Sequence, residues 1–323
     1  MTEKTEIDEI AAKLAEKELE EVLKNIGKIT EIDELAVKIV SIRKKPLLVL
    51  YWHDHDECYI SSGNEAIVYK ELRKNLDTSF NNIDVLIHTH GGNANTSYLV
   101  ARAIREFAYN VTFLIPEKAT SGGTLIALSG NEIMFGHCAR LSSIDYQLDI
   151  NSDNEARTST YLKHFLSFTK DVMTTLDEDM KEPTGVEKVM IQEMVKELGT
   201  EHIANTYRLN GLSKYYARQC LKYAFPRKEQ TDQRDDIVDM LTDDTPSHSA
   251  IIDYDVAKSL LLPVTKMPLE LSDVTKELIA KLSEASELYE VCELMADEKS
   301  RYPFVKYYPA LASTEEEKID GQS

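Results

Sequence analysis

Residues 83–147 read IDVLIHTHGGNANTSYLVARAIREFAYNVTFLIPEKATSGGTLIALSGNEIMFGHCARLSSIDYQ. Val85, Leu86 and Ile87 make an apolar strand that runs into Gly91-Gly92, and Leu99, Ala103 and Ile104 then recur at helical spacing. The pattern repeats at once. Val111 to Ile115 is a β-rich apolar run, Ala119 to Gly123 is a turn, and Thr124 to Leu128 opens a second apolar helix. Two strand–turn–helix units in tandem predict parallel strands joined by right-handed crossovers. Their turns then lie at the carboxyl ends of the strands, so Gly91-Gly92 and Ser121-Gly122-Gly123 are expected to meet on one edge of the sheet. Glycine suits that edge because backbone can approach backbone closely only where no Cβ intervenes. Ser121, at the head of a helix with N–H groups on both sides, is the candidate nucleophile.

Three ordered segments carry a family resemblance. LIHTHGGNANTSYLVARAIR, VTFLIPEKATSGGTLIALSGNEIMFG and LSSIDYQ resemble the LHTPGG, VPxxAxSGGTLIALxADEI and LGPIDPQ motifs of the serine dehydrogenase proteinase family. That family is related to signal peptide peptidase A and, more distantly, to the Clp peptidase and the crotonases. The resemblance runs from Pro46 to Gln147 and resumes from Ser213 to Val264, where SHSAIIDYDVAKSLLLPV is similar to the family's closing segment. It implies an α/β fold of the Clp/crotonase type, a spiral of β-β-α units, here with an N-terminal helical arm and a helical insertion. It also implies a serine peptidase that needs no metal or organic cofactor.

The site residues follow from the same resemblance. Ser121 attacks a peptide carbonyl, Gly92 and Gly122 donate the oxyanion N–H groups, and Gly91 shapes the turn. His90 and Asn93 flank it as substrate-binding positions, with extended substrate pairing along Gly92-Asn93-Ala94. His90 and Tyr146 stand where the family has proline, and Ser142-Ser143 replaces Gly-Pro. A hydroxyl needs a base. The position of the Clp histidine holds Asp145, which argues against a Clp-type triad and assigns Asp145 to loop ordering. In the signal peptide peptidase A branch the base is a lysine at the start of a later helix, and the family's EKAIRQV is most similar to SKYYARQC, which points to Lys214. A helix starting at N-cap Ser213 would place Lys214 in a positive dipole, and partial burial would also favour its neutral form. Lys163 and Lys170 are the alternatives.

Outside this region the chain divides into an N-terminal helical arm at 1–45, a peptidase domain at 46–265 with a helical insertion at 148–211, and an acidic helical extension and tail at 266–323. Ile7, Ile10, Leu14, Leu19, Val22, Leu23 and Ile26 give the arm an apolar stripe. That stripe serves either docking and oligomerisation or packing on the chain's own core. In the insertion, Tyr161, Phe165 and Phe168 lie on either a lid or oligomer contact or a packed hairpin. A homo-oligomer is expected, because shared stripes would be covered and the site enclosed.

Composition narrows the partners. The 323 residues carry a net charge of −19 with pI near 4.9, which argues against nucleic acid and anionic membranes, since both require clustered cations. No run reaches the roughly 18 apolar residues of a membrane span, and the acidic start MTEKTEIDEI is unlike a secretory signal. The sequence therefore predicts a cytoplasmic location, acting on protein or peptide. The four cysteines, Cys58, Cys138, Cys220 and Cys292, have no paired spacing and read as reduced thiols. His53, His55 and Cys58 have zinc-ligand chemistry, but no second cluster completes a site, so the segment reads as a polar loop. His248 with Asp253 reads as a structural pair. Two other functions fit the fold: a catalytically silent scaffold for assembly or peptide binding, and a crotonase-like acyl-CoA enzyme. The latter has no need of a serine in ATSGGT.

Overall fold

Strand β1 (Leu47–Tyr51) is apolar at every position because both its faces are covered. Leu48 and Leu50 enter one core with Ile83, Val85, Ile87, Phe113 and Ile115, whereas Leu47, Val49 and Tyr51 enter a second with Leu86, Leu114 and Met134. Alternate residues of a strand face opposite ways, so a sheet buried on both sides reads as a continuous apolar run. The computed structural model describes residues 29–54, 58–76, 81–145, 200–245, 250–293 and 303–311, together with 189, 192, 193 and 196.

Helix α1 spans 29–43. After β1 come α2 (Asn64–Asn75), β2 (Asn81–His88), α3 (Ala94–Phe107), β3 (Ala108–Ile115), β4 (Lys118–Ala119), α4 (Gly122–Ala127), β5 (Glu132–Phe135) and β6 (Arg140–Leu141). The later elements are α5 (Thr200–Leu221), α6 (Thr231–Thr242), α7 (Tyr254–Ser259), β7 (Val264–Lys266), α8 (Leu269–Glu293) and β8 (Phe304–Tyr308). One six-stranded sheet has the order β7-β5-β3-β2-β1-β8, and β4 and β6 form a small second one. All pairs of the main sheet are parallel except β1–β8. This is a mixed α/β protein with a mostly parallel central sheet, as the tandem strand–turn–helix pattern predicts.

Three features decide or correct points of the sequence reading. First, α1 buries Ile32, Ala36, Ile39 and Val40 in the second core, so this part of the 1–45 segment packs on its own sheet; the stripe at 7–26 lies outside the described residues. Second, the 266–323 segment is more than a helical extension. Leu271, Val274, Leu278 and Ile279 of α8 cover the same sheet face, and β8 adds an antiparallel strand alongside β1. That strand is tied to α1, since Lys306 Nζ lies 2.6 Å from Asp33 and Tyr308 Oη donates to Asp33 at 2.7 Å. Third, α5 runs unbroken through Gly211 and Ser213, and Ser213 is a buried interior position rather than an N-cap. Gly211 faces open space and causes no break. Of the insertion, Tyr161, Lys163, Phe165, Phe168 and Lys170 lie outside the described residues, as do Tyr146 and His248.

Candidate active site

The two glycine turns meet. Thr89, just beyond β2, bridges Ala119 of β4: Thr89 N–H donates to Lys118 O at 3.2 Å and Thr120 N–H to Thr89 O at 3.1 Å. This ladder brings Gly91 against the start of α4. A Cβ on Gly91 would stand 2.5 Å from Thr120 O and 2.7 Å from Ser121 Cβ, distances that only glycine tolerates, and its φ of 100° has the same requirement. Gly122 closes the contact from the other side, where an added Cβ would lie 2.3 Å from Ser97 Oγ and 3.2 Å from Gly92 N.

Hydrogen bonds sort the three glycines by role. Gly91 N–H donates to Thr89 Oγ1 at 2.9 Å, and Gly91 O accepts from Ile60 N–H at 2.8 Å, so Gly91 is committed to the turn. Ile60 O in turn accepts from Asn93 N–H at 2.8 Å. In this parallel bridge the flanking residues point toward Ile60 and the central one points away. The N–H groups of Gly92 and Gly122 have no partner among the described residues, and that of Gly92 points away from Ile60. Asn93, expected at the substrate, is the N-cap of α3, its side chain accepting from Thr96 N–H at 3.1 Å. Ile60 occupies one edge of the stretch along which extended substrate was expected to pair.

Ser121 sits at φ 51°, ψ −114°, in the left-handed half of the map that a side chain rarely enters. Its N–H donates to Ser142 Oγ at 2.8 Å, and its carbonyl accepts from Leu125 N–H at 3.0 Å. Ser142 is itself fixed, its N–H donating to Thr124 Oγ1 at 3.1 Å and its hydroxyl to Ser143 O at 3.1 Å. The LSSID segment thus braces the backbone of the candidate nucleophile from behind. Asp145 accepts from the Ser143 hydroxyl, which also reaches Leu241 O at 2.7 Å, and this orders the loop. The Ser121 hydroxyl meets no hydrogen-bond partner among the described residues.

Lys214 is not brought to Ser121. Tyr216, two residues on, stacks on Tyr98 of α3 with ring centroids 4.4 Å apart and donates to Asn95 at 2.9 Å. Residues two apart on a helix point about 200° apart, so Lys214 faces away from that contact. Its Nζ lies 2.9 Å from Asp239 and 2.6 Å from Asp243 on α6. Partial burial works to lower the Lys214 pKa, but hydrogen bonds to Asp243 and Asp239 outweigh it and raise it above the ordinary lysine value. The interior helix position also removes the expected dipole. Of the two reasons for a neutral amine, the dipole is therefore absent and burial is outweighed.

A second cluster, unmarked in the sequence, lies on the other face of the same strand ends. Asp54 Oδ1 is 2.7 Å from Lys118 Nζ, 2.9 Å from His88 Nε2 and 3.2 Å from His90 Nε2. Lys118 Nζ also lies 3.0 Å from His90 Nε2. The side chains of His88 and Lys118 are 1% and 10% exposed, so these donors are built into the fold. Burial pushes the Asp54 carboxyl up, but bonds from His88, His90 and Lys118 prevail and hold it far below the usual carboxylate range. Lys118 stands inside the PEKATSGG motif, and strand alternation alone would have set it on the face opposite Ala119. Among the described residues no group of three His, Cys, Asp or Glu side chains is arranged for a metal ion, and His55 lies outside them. Among the described residues Cys58, Cys138 and Cys220 form no disulfide, and burial pushes Cys220 up to about 12. No described helix is long and apolar enough to cross a membrane.

The profile of the ClpP-like SDH-type serine proteinases matches residues 64–204. Over these residues the chain is similar to that family, and the match includes both glycine turns and the LSSID brace. Two proteins of Methanocaldococcus jannaschii, the uncharacterized proteins MJ1495 and MJ0137, are 42% and 38% identical to the chain over 66 residues. Each match covers 20% of this chain, which spans only 23% of the length of either relative.

Proposed function

We propose that the chain is a serine peptidase of the signal peptide peptidase A-like type. Ser121 attacks the peptide carbonyl, the N–H groups of Gly92 and Gly122 receive the oxyanion, and a lysine takes the Ser121 proton and passes it to the leaving amine. The observation that carries this reading is the apposition of the turns: Gly91 and Gly122 are placed so tightly against Ser121, Thr120 and Gly92 that a single methyl group would break the contact. Lys214 is the base that the family resemblance nominates. To act, it must leave Asp239 and Asp243, so the proposal includes a rearrangement of α5 against α6 when substrate binds. Lys163 and Lys170 are the alternative donors of the amine.

Several coarser features accompany this reading. The fold is the Clp/crotonase spiral, with β4 and β6 forming the start of its second layer. The protein works in the cytoplasm as a homo-oligomer on protein or peptide substrates. Exposed Tyr109, Ile251, Leu261 and Leu269 supply apolar surface for such contacts. Light scattering tests assembly: a species near the 36.7 kDa of one chain, unchanged on dilution, would remove it.

One observation favours a second reading, a silent scaffold, because the Ser121 hydroxyl has no base beside it among the described residues. Fluorophosphonate labelling separates the two. A peptidase is modified at Ser121, and Ser121→Ala abolishes both labelling and turnover with the fold intact. An unlabelled wild type, or an equally active alanine variant, would end the peptidase reading.

A further inference from the structure

We propose that Asp54 is a positioning residue that sets the oxyanion turn, acting through a clamp with Lys118, His88 and His90. Its effect on Ser121 chemistry rests on the serine-peptidase reading; its effect on backbone geometry does not.

Residues 52–54 and 58–60 hold the β2–α3 turn from both ends. At its start Trp52 N–H donates to His88 O at 2.9 Å, and the Trp52 indole donates to Asn64 at 3.0 Å. On the other side Ile60 grips Gly91 O and Asn93 N–H, and this grip turns the Gly92 N–H away from Ile60. Backbone bonds therefore hold Trp52 and Ile60 to the turn. Asp54 is where side chains engage the site. His88 and His90 lead into Gly91-Gly92, and Lys118 leads into Ser121, so one carboxylate oxygen gathers the two strands that carry the oxyanion donors and the nucleophile.

The chemistry of the cluster sets its tautomers. With Asp54 ionised, Lys118 Nζ and His88 Nε2 donate to it, Lys118 Nζ at 3.0 Å from His90 Nε2 donates to that ring nitrogen as well, and Glu117 is the remaining charge, its Oε2 3.6 Å from His88 Nδ1. Lys118 has no other carboxylate within ion-pair distance among the described residues. Without Asp54 its buried ammonium would face two imidazoles with no counter-charge, a state that must either distort or admit water. Distortion there passes directly to the ladder between Thr89 and Ala119 and to the Ile60 grip. A displacement of an ångström in a catalytic group costs on the order of 100-fold in rate. His90, which replaces the family's proline, is thus part of the clamp and not a free substrate contact.

The test uses the full chain with Asp54→Asn, Lys118→Met and the double variant Asp54→Asn/Lys118→Met. The double variant removes both charges, so unlike Asp54→Asn it leaves no buried ammonium without a counter-charge. Two measurements are made: the rate of fluorophosphonate labelling at Ser121 against probe concentration, and hydrogen exchange of the Ile60 and Asn93 amides. In the double variant we expect the maximal labelling rate to fall on the order of 100-fold while the half-saturating concentration holds. Exchange at Ile60 and Asn93 should quicken at least tenfold, with Val85 and Ile87 in β2 unchanged. Wild-type labelling with a double variant that labels equally fast would overturn the clamp and leave the peptidase standing. If the wild type itself does not label, the peptidase reading falls and the exchange result decides: unchanged Ile60 and Asn93 overturns the clamp as well.

Discussion

Ser142→Ala removes one oxygen from behind the candidate nucleophile. Ser142 is 4% exposed, and its hydroxyl both accepts from Ser121 N–H at 2.8 Å and donates to Ser143 O at 3.1 Å. A buried donor left unsatisfied costs about 1–3 kcal/mol. Ser121 is partly exposed, so water can replace part of the loss and the expected cost is about 1–2 kcal/mol. Domains of 150–250 residues lose about 2–4 °C of Tm per kcal/mol, so the fall should be about 2–8 °C. A kinetic consequence follows from geometry. A residue at φ 51° carries about 1–3 kcal/mol of backbone strain and keeps that conformation only while its neighbours hold it. With the Ser142 bond gone, only the Leu125 N–H to Ser121 O bond holds it. If half the strain relaxes, about 0.5–1.5 kcal/mol of alignment is lost, which is roughly 2- to 12-fold in rate. Scanning calorimetry and the fluorophosphonate labelling rate are the assays. A variant with wild-type Tm and wild-type labelling would show that Ser142 does not brace Ser121.

Three other outcomes follow from the same contacts. Gly122→Ala puts a Cβ 2.3 Å from Ser97 Oγ, which can rotate, and 3.1 Å from Gly92 O, which cannot; labelling should fall on the order of 100-fold while circular dichroism stays native. Normal labelling in that variant would remove Gly122 from the oxyanion hole. Lys214 has a raised pKa, so the stability from its ion pairs is present below the ordinary lysine value near 10.4 and lost as pH rises past the folded value. If it is also the base, wild-type activity climbs only in that alkaline range and vanishes in Lys214→Met; a plateau near neutral pH would assign the base elsewhere. Asp54 has the opposite sign. Its depressed carboxyl contributes stability above about pH 4 that is lost only as pH falls through the folded value, so urea midpoints of wild type and Asp54→Asn should differ equally at pH 7 and pH 4.

What could be read from the sequence was local. Gly91, Gly92 and Gly122 were legible because a backbone that must pass within bonding distance of another cannot carry a Cβ, and that constraint is written at single positions. Alternation and helical spacing gave β2, α3, β3 and α4 for the same reason. Asn93 was misassigned although its signal was present: an asparagine directly before an apolar helix is an N-cap. The helix start expected just before Lys214 failed through a boundary. Ser213 has N-cap chemistry, but burial of Ser213, Ala217, Cys220 and Leu221 along one face carries α5 straight through it. The Asp54 clamp and β8 were illegible because both are set by tertiary proximity. Nothing in FVKYY says that its partner is LLVLY, and nothing in HDHDEC says which of its carboxylates returns to HTH.

The pairing of β8 with β1 has a consequence on the ribosome. Leu47 lies beside Tyr308, so one edge of the central sheet stays open until nearly all of the described chain has emerged. At roughly 5–20 residues per second, β1 waits on the order of 10–50 s for its antiparallel neighbour. Throughout that interval five consecutive apolar residues present unpaired main-chain N–H and C=O groups, the profile that other extended segments add to. The nascent protein is therefore itself a strand acceptor before it is complete, and segment 304–308 ends that state by occupying the edge from within the same molecule.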